Sequence, residues 1–299
     1  MFRSTSWRTR TRLSCFGVSG AALMRLDTLE ITNFTNQGLL LPNWQLKRSY
    51  VAVLVEQLSV HSCASNPLAF EPDGRTLRAI HGCHTRSAIF HRLTRLNAIL
   101  CPARQIVKDQ VYVYQFKINL KSAFAGDLWP WHQDYSFWAK EDGMPAPLAI
   151  TAAIFLDDVT EFNGPIFFIP GSHRNGLYDV HANTSDNDWR KHVAADLSYQ
   201  TDQEKIIQLV EQHGMIAPKG PRGTILFFHS NIVHASPANI SPMQRRILFI
   251  TYNSINNLPR NTKRPAFLVS RDTRPLEPLD DGDSEVVEMI ENSRYSQRV

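Results

Sequence analysis

The order of apolar and polar positions divides the chain into a helical first third and a strand-rich remainder. Residues 42–58 carry apolar side chains near a period of 3.6 residues, and residues 87–100 repeat that pattern. Each segment is therefore predicted to form a helix with one apolar face. Pro102 closely follows the second segment and is expected to end that helix.

The pattern changes to strict alternation after Lys108. One face of the predicted strand carries Tyr112, Tyr114, Phe116 and Ile118. The other face carries Val111, Val113, Gln115, Lys117 and Asn119. Because successive side chains of a strand point to opposite faces, amide groups share one face with apolar residues, which suggests that the strand lines a cavity. Lys117 shares that face but is expected to extend to water.

Further β-rich runs follow at residues 148–156, 165–169, 223–228 and 246–252. One helix interrupts them, because residues 201–204 match a capping box and Gly214 follows as a stop signal. Short strands, with most helices grouped toward the N-terminus, predict a mainly β fold. The expected architecture is a β-sandwich or jelly roll with buttressing N-terminal helices.

Composition and charge exclude several classes of partner. The chain has 299 residues, of which 43% are hydrophobic, and this is enough for one large core. The net charge is only +4 and no basic stripe is present, so nucleic acid is not an expected partner. No apolar run is long enough to span a bilayer. The four cysteines form no Cys-x-x-Cys pair and are expected to be reduced thiols of a cytoplasmic protein.

The two ends of the chain differ from its body. Residues 1–26 contain five arginines and no acidic residue. This composition is typical of an organelle transit peptide, or of sequence upstream of a start at Met24, and we favour the second interpretation. Residues 27–275 are predicted to form a single domain. Residues 276–299 are acidic and polar and are expected to be a flexible lid or a disordered tail.

Candidate chemistry centres on His132 and Asp134, which stand two residues apart. On an extended segment their side chains point to the same face. One imidazole and one carboxylate are two of the three ligands in the two-His-one-carboxylate triad that holds non-haem Fe(II). His229 and His234 follow a later strand and compete for the third position. His234 is preferred because Arg245 lies eleven residues beyond it and heads the next apolar strand.

An arginine at that position suits the cosubstrate 2-oxoglutarate. The 2-oxo acid end of this molecule chelates iron, and its distal carboxylate needs a cation at the far end of the pocket. Arginine matches a carboxylate bidentately and keeps its charge. Arg246 is the alternative to Arg245, but adjacent strand residues face opposite sides, so only one of them can enter the interior. With one arginine, the charges of Fe(II), one aspartate and two cosubstrate carboxylates sum to zero, as a dry pocket favours.

Several stretches together resemble the phytanoyl-CoA dioxygenase superfamily of Fe(II)/2-oxoglutarate oxygenases. The matching stretches are residues 131–134, 141–145, 163–165, 170–173, 234–236, 239–242 and Arg245. The similarity extends from about Gly74 to Thr273. It implies a double-stranded β-helix, which is a distorted jelly roll, and hydroxylation of an unactivated C–H bond in a small molecule. A monomer or a homodimer is expected.

The resemblance also implies a role for each matching residue. It assigns iron to His132, Asp134 and His234. It places the distal carboxylate of 2-oxoglutarate at Arg245 and Ser236, and lines the cosubstrate pocket with Gln115, Asn119 and Trp129. The implied cofactor is Fe(II), the implied cosubstrates are 2-oxoglutarate and O₂, and ascorbate is expected to stimulate the reaction.

Within the superfamily, the chain is most similar to hydroxylases of free L-leucine that act at the δ carbon. The stretches that carry this similarity are residues 74–79, 84–86, 115–119, 158–165 and 271–273. A free amino acid needs a cation for its carboxylate and an apolar slot for its side chain. Arg271, Arg78 and His84 are candidates for the cation. Tyr135, Phe137 and Trp138 are candidates for the slot, with Phe249 as a pocket wall.

Two alternatives remain open. Another small molecule can be the substrate, for example a different amino acid or an ectoine-like solute. Ectoine hydroxylases share the Trp-His-x-Asp element but carry Phe-Glu-Thr-Trp-His after the metal aspartate, where this chain has residues 135–139 as Tyr-Ser-Phe-Trp-Ala. A non-catalytic jelly-roll binding protein would not need all three ligands and Arg245 together. Related halogenases need a small residue where Asp134 stands, which argues against halogenation.

Overall fold

Two antiparallel sheets face each other across the interior of the molecule. The structure is a computed structural model that describes residues 24–62, 67–178, 180–182, 193, 197–279 and 290–292. The larger sheet has seven strands, in the spatial order β1 (Leu39–Leu40), β11 (Ile225–His229), β7 (Ala149–Phe155), β13 (Arg245–Ser254), β5 (Val111–Lys121), β4 (Leu77–His81) and β3 (Leu68–Phe70). The smaller sheet has the order β6 (Trp129–His132), β12 (His234–Ser236) and β8 (Phe167–Phe168). This arrangement confirms the predicted mainly β jelly roll.

Two pairs of short strands form separate two-stranded sheets. They are β9 (Val180–Ala182) with β10 (Tyr199–Thr201), and β2 (Trp44–Leu46) with β14 (Ile290–Asn292). The helices are α1 (Thr28–Gln37), α2 (Arg48–Ser62), α3 (Ala88–Leu93), α4 (Asn97–Val107), α5 (Asp134–Asp142) and α6 (Gln203–His213). No helix among the residues placed in the structure is long and apolar enough to cross a membrane.

The N-terminal helices cover the outer face of the larger sheet. Leu54 of α2, Phe90 of α3 and Ile99 of α4 join one core cluster with Phe116 and Ile250 of the sheet. A second apolar cluster lies between the two sheets and includes residues of β7, β8, β11 and β13. Burial of both faces of the larger sheet explains why its strands read as nearly continuous apolar runs.

The two predicted N-terminal helices are present with different bounds. The first begins only at Arg48, because Trp44–Leu46 forms strand β2. The second is divided into α3 and α4, and Pro102 lies inside α4 instead of ending it. Proline has no N–H to donate to the carbonyl four residues earlier. The indole Nε1 of Trp44 donates to that carbonyl, the oxygen of Ala98, at 3.0 Å, so the helix continues.

A β-bulge makes the faces of β5 differ from the prediction. Gln115 pairs with Thr251 of β13, but Val113 pairs with Tyr252, so Tyr114 is an extra residue on β5. The extra residue reverses the alternation. As a result Val111 and Val113 pack in the same helix-facing core cluster as Phe116 and Ile118. Tyr112 and Tyr114 pack in the cluster that contains Trp129 and Trp138.

Two further expectations differ from the structure. Helix α6 begins after Asp202, whose side chain makes no capping bond, because Thr201 belongs to β10 and the capping box does not form. The C-terminal tail is not free where it is described: the Leu276 N–H donates to the Val111 oxygen at 2.9 Å, and β14 pairs with β2. The predicted N-terminal extension lies outside the described residues up to position 23.

Candidate active site

Three buried side chains converge between the two sheets. Strand β6 ends at His132, Gln133 keeps an extended conformation with φ −113° and ψ 126°, and Asp134 is the first residue of α5. His234 opens β12 and pairs directly with His132 across the smaller sheet. The ligand atoms of His132, Asp134 and His234 lie within 4.8 Å of one another. The sequence-predicted triad is therefore brought together, with Asp134 at a helix start instead of on the predicted strand.

Backbone contacts orient both imidazoles toward the centre of this triad. The Nδ1 atom of His132 lies 2.6 Å from the Pro130 oxygen, and Nδ1 of His234 lies 3.0 Å from the Ile232 oxygen. Because a carbonyl oxygen can only accept, each Nδ1 carries a hydrogen and donates a hydrogen bond to the carbonyl. The Nε2 lone pairs remain for another ligand, as in histidines that bind metals.

The environment of the triad favours an ionised Asp134 and a neutral His234. Burial alone would raise the pKa of Asp134, but the positive charge of nearby Lys117 holds it well below its ordinary value. The Lys117 Nζ lies 3.7 Å from Asp134 Oδ1. Burial, together with the neighbouring His132, lowers the pKa of His234 to about 3. A carboxylate and two neutral imidazoles are the protonation states that metal binding requires.

Two adjoining cavities meet at the triad. The first, here called the arginine compartment, is also lined by Asn119, Ile166, Phe228, Ser236, Arg245 and Phe249. The second, here called the aromatic compartment, is also lined by His81, Gln115, Phe137, Trp138, Val193, Leu197 and Arg264. Lys117, Trp129, His132 and Asp134 line both compartments. A group bound at the triad would therefore be open to both sides.

Arg245 lies in the arginine compartment as a buried cation. Its side chain is 1% exposed, and its Nη2 donates to the Ser236 hydroxyl at 3.4 Å. Its Nε and the Asn119 amide oxygen are buried and have no hydrogen-bond partner among the described atoms. Burial lowers the pKa of Arg245 to about 9. Unpaired buried polar atoms are rare in proteins, and here they indicate that a polar ligand belongs in the compartment.

Arg246 points away from the interior, as the alternation of β13 predicts. Its Nε donates to Asp157 Oδ2 at 2.8 Å, and its Nη2 donates to Asp157 Oδ1 at 2.7 Å. This bidentate pair leaves Arg246 with a structural role. Of the two adjacent arginines, only Arg245 faces the triad.

The other predicted cosubstrate residues are divided between the compartments. Asn119, Ser236 and Trp129 line the arginine compartment. Gln115 lines the aromatic compartment instead, where its Nε2 donates to the Leu268 oxygen at 3.1 Å. Trp129 is held from behind, because the Arg78 guanidinium lies 3.8 Å from the centre of its ring.

The predicted substrate residues are only partly brought together. Trp138 lines the aromatic compartment and Phe249 the arginine compartment. Tyr135 is not among the lining residues, and its hydroxyl donates to the Met144 oxygen at 3.1 Å. Arg271 is exposed outside both compartments, where it donates to the backbone oxygens of residues 262, 264 and 269.

The alternative cations are also placed elsewhere. Arg78 is completely buried and pairs with Glu71 at 2.7 Å. His84 lines a separate cleft beside α3. His229, the rival third ligand, lies against His173, with ring centres 5.0 Å apart, and its Nδ1 accepts the Asn231 N–H. These side chains lie away from the triad.

Sequence reasoning missed three polar residues of the cavities. Lys117 does not extend to water: it is in the middle of β5, which continues to Lys121, and its side chain is only 15% exposed. His81 pairs with Lys117 across β4 and β5. Arg264 lines the aromatic compartment but is neutralised by Asp142, which accepts from its Nε at 2.9 Å. Of these three residues, only Lys117 could have been identified from the sequence, through the alternation of side chains along β5.

Comparison with known proteins agrees with this geometry. The model of the phytanoyl-CoA dioxygenase (PhyH) family matches residues 64–247. An L-proline trans-4-hydroxylase of Streptomyces griseoviridis is 45% identical over 216 residues, covering 71% of this chain and 81% of that enzyme. An ectoine dioxygenase of Halomonas elongata is 36% identical over 203 residues, covering 66% of this chain and 61% of that enzyme.

Solved structures show the same similarity. The crystal structure of EctD from S. alaskensis with 2-oxoglutarate and 5-hydroxyectoine has a TM-score of 0.73 and 28% sequence identity, covering 85% of this chain and 87% of that chain. The structure of the same protein with bound Fe has a TM-score of 0.72.

The jelly roll, the inward triad and these relatives define a class of enzyme, the 2-oxoglutarate-dependent non-haem iron dioxygenases. Within that class, this chain belongs to the phytanoyl-CoA dioxygenase family. It is related to enzymes that hydroxylate amino acids and ectoine. The similarity to leucine hydroxylases in particular rests on the sequence motifs alone.

Proposed function

We propose that this protein is an Fe(II)- and 2-oxoglutarate-dependent hydroxylase of a free amino acid. The observation that carries the proposal is the triad at the junction of two compartments, one of which ends in a buried and incompletely bonded arginine. One compartment suits the cosubstrate and the other suits the substrate. Both would open on the same metal position.

His132, Asp134 and His234 would hold the iron. Their donor set fits Fe(II), because both imidazoles present Nε2 and the carboxylate is ionised. The carbonyls of Pro130 and Ile232 fix the two rings, so that little reorientation is needed when the metal binds. Iron held there would activate O₂, so that one oxygen atom enters an unactivated C–H group as C–OH and the other enters the succinate formed, with CO₂, from 2-oxoglutarate.

The arginine compartment would hold 2-oxoglutarate. The Arg245 guanidinium and the Ser236 hydroxyl would bind the distal carboxylate with charge-assisted hydrogen bonds. Asn119 supplies an amide beside them, and Trp129 and Phe249 supply apolar walls. Burial excludes water from these bonds, which strengthens each of them.

The aromatic compartment would hold the amino acid. Phe137, Trp138 and Leu197 offer an apolar surface for the side chain. Among the cations that line this compartment, Arg264 is bound to Asp142, so we assign the substrate carboxylate to Lys117. Gln115 uses its Nε2 for the Leu268 oxygen, which leaves its amide oxygen to accept from the substrate ammonium.

The identity of the amino acid has two candidates. The sequence motifs favour L-leucine, hydroxylated at the δ carbon. The 45% identity with an L-proline trans-4-hydroxylase favours L-proline. Both molecules carry an α-carboxylate, an α-amino group and a small aliphatic side chain, so the residues assigned here would serve either one. Ectoine-like solutes form a third group because of the ectoine dioxygenase relatives.

The test is succinate formation in air with Fe(II), ascorbate and 2-oxoglutarate, across free amino acids and ectoine. L-Leucine and L-proline come first, each with its amide as a matched analogue that lacks the carboxylate. Asp134→Ala is the blank. We expect succinate and a product heavier by one oxygen atom with an amino acid, and much less with its amide.

The outcomes separate the parts of the proposal. Turnover with proline but not leucine would keep the reaction and refute leucine as the substrate. Equal turnover of acid and amide would refute the assignment of the carboxylate to Lys117. Absence of turnover with every compound, together with absence of charge-transfer absorbance when Fe(II) and 2-oxoglutarate are added, would refute the oxygenase function itself.

A further inference from the structure

Lys121 is a buried lysine directly behind the arginine compartment. It is the last residue of β5 and pairs with Arg245 across the sheet. Its relative exposure is 0%, which is rare for lysine. No carboxylate of a described residue lies within ion-pair distance of its Nζ. Two basic side chains therefore lie side by side inside the protein, and neither forms an ion pair with a described carboxylate.

The ammonium group of Lys121 binds backbone oxygens instead. It donates to the Asp127 oxygen at 2.8 Å, to the Ser236 oxygen at 3.4 Å and to the Pro237 oxygen. Ser236 is also the residue whose hydroxyl accepts from Arg245 Nη2 and donates to the Gly164 oxygen at 2.9 Å. Lys121 thus holds the backbone that carries the hydroxyl group of the arginine compartment.

Glycines make the space for this lysine. A Cβ at Gly164 would lie 2.8 Å from Lys121 Cδ and 2.9 Å from the Pro237 oxygen. A Cβ at Gly126 would lie 2.7 Å from the Lys121 Cα. The close approach from two sides holds the alkyl chain in one position. Such tight packing is typical of a residue with a defined geometric role.

We propose that Lys121 is a positioning residue for the distal carboxylate of 2-oxoglutarate. Its ammonium group fixes Ser236 relative to Arg245 and places a second positive charge behind the guanidinium. This inference rests on the proposed function, because it assumes that the arginine compartment binds this cosubstrate.

The charged groups around Lys121 agree with this role. Burial, then Arg245 and Arg78, lower its pKa to about 6, while Glu71 and Asp127 act in the opposite direction. The protonated lysine is therefore disfavoured until an anion enters the compartment. A carboxylate bound at Arg245 would oppose the repulsion from Arg245 and favour the charged, fully donating form of Lys121.

The test compares wild type with Lys121→Met, which keeps an unbranched side chain one atom shorter and removes the charge and the donors. Anaerobic titration of the Fe(II) protein with 2-oxoglutarate, followed by the charge-transfer absorbance, gives the Kd. Bonds to charged groups contribute enough that we expect a Kd raised roughly tenfold or more. The KM for the amino acid should change less than twofold. The preference for 2-oxoglutarate over the longer 2-oxoadipate should weaken, because the distal carboxylate is less firmly positioned.

Two further variants keep the inference falsifiable. Lys219→Met is the matched control, since Lys219 is half-exposed and pairs with Glu161 at 3.6 Å, and its Kd should equal that of wild type. Gly164→Ala displaces the same lysine without removing its charge, and it decides the question if Lys121→Met does not fold. We expect Gly164→Ala to raise the Kd for 2-oxoglutarate as well.

The inference is overturned if folded Lys121→Met has an unchanged Kd and an unchanged cosubstrate preference. If Lys121→Met does not fold, the same result in folded Gly164→Ala overturns it. Lys121 would then only stabilise the fold, and the loss would appear in Tm alone. A wild-type protein that gives no charge-transfer band contradicts the proposed function and not the role of Lys121 within it. The two failures are therefore distinguishable.

Discussion

Adjacent arginines on β13 provide a test in which each residue is the control for the other. Arg245 is buried, faces the triad and has no carboxylate partner among the residues described. Arg246 faces outward and is held bidentately by Asp157. The two changes Arg245→Gln and Arg246→Gln remove the same charge one residue apart. Cosubstrate binding should respond to the first and stability to the second.

The expected magnitudes follow from the two environments. Truncation of one partner of a buried charge pair costs about 3 kcal/mol of binding, so Arg245→Gln should raise the Kd for 2-oxoglutarate roughly 150-fold. The same change should leave Tm nearly unchanged, because the cation has no acidic partner in the ligand-free protein. Arg246→Gln leaves Asp157 without its guanidinium partner. Since the side chains of this pair are only 17% and 10% exposed, unfolding should become easier. We expect a loss of about 2 kcal/mol and a Tm lower by roughly 5 °C.

The Kd is measured by anaerobic charge-transfer titration and Tm by calorimetry, each for wild type and both variants. Arg245→Lys is a useful third variant, because it keeps the charge but loses the bidentate geometry and should fall between wild type and Arg245→Gln. The reasoning is refuted if Arg245→Gln changes the Kd less than threefold, or if both glutamine variants weaken 2-oxoglutarate binding equally.

Three other outcomes are expected. Fe(II) at one hundred times its Kd should stabilise the wild type by about 2.7 kcal/mol in anaerobic calorimetry, and Asp134→Ala should abolish that gain. Burial, with Lys117 and Arg264, lowers the pKa of His81 to about 3, so the unfolded chain binds an additional proton below about pH 6.5. The free energy of unfolding should therefore fall as pH drops. Between pH 7 and pH 5, the fall measured by urea titration should be about 2 kcal/mol smaller in His81→Gln than in wild type. Trp44→Phe leaves the Ala98 carbonyl without a donor beside Pro102 and should cost about 1–3 kcal/mol of stability, measured by urea denaturation.

The triad was predictable because it depends on the alternation of side chains along short extended segments. His132 and Asp134 flank Gln133, whose extended backbone turns both side chains to the same side even though Asp134 begins a helix. The spacing of His234 and Arg245 then identifies the strands that complete the site. Each of these steps needs only the alternation of side chains along a few extended residues.

The faces of β5 were predictable only as far as the alternation stays regular. Gln115, Lys117 and Asn119 share the predicted face, and Lys117 and Asn119 reach the arginine compartment. The faces of Val113 and Tyr114 are reversed by the bulge. A bulge depends on pairing with β13, more than a hundred residues later, and no pattern within β5 records it.

The substrate side was less predictable, because the roles of its cations depend on distant partners. Arg78 is occupied by Glu71 and by the Val193 oxygen, and Arg271 by three backbone oxygens. The positions of the two arginines in the sequence do not show which groups they bind. Lys117 was expected to extend to water, but the strand continues to Lys121 and encloses it.

The balance of charge links the cosubstrate to the metal. Among the groups that line the two compartments, Arg264 is paired with Asp142, while Lys117 and Arg245 have only Asp134 near the triad. One positive charge is therefore in excess before any ligand binds, and Fe(II) raises that excess to three. The two carboxylates of 2-oxoglutarate reduce it to one, and a zwitterionic amino acid adds no net charge. Because buried charge is costly unless it is matched, the metal and the cosubstrate should each strengthen the binding of the other.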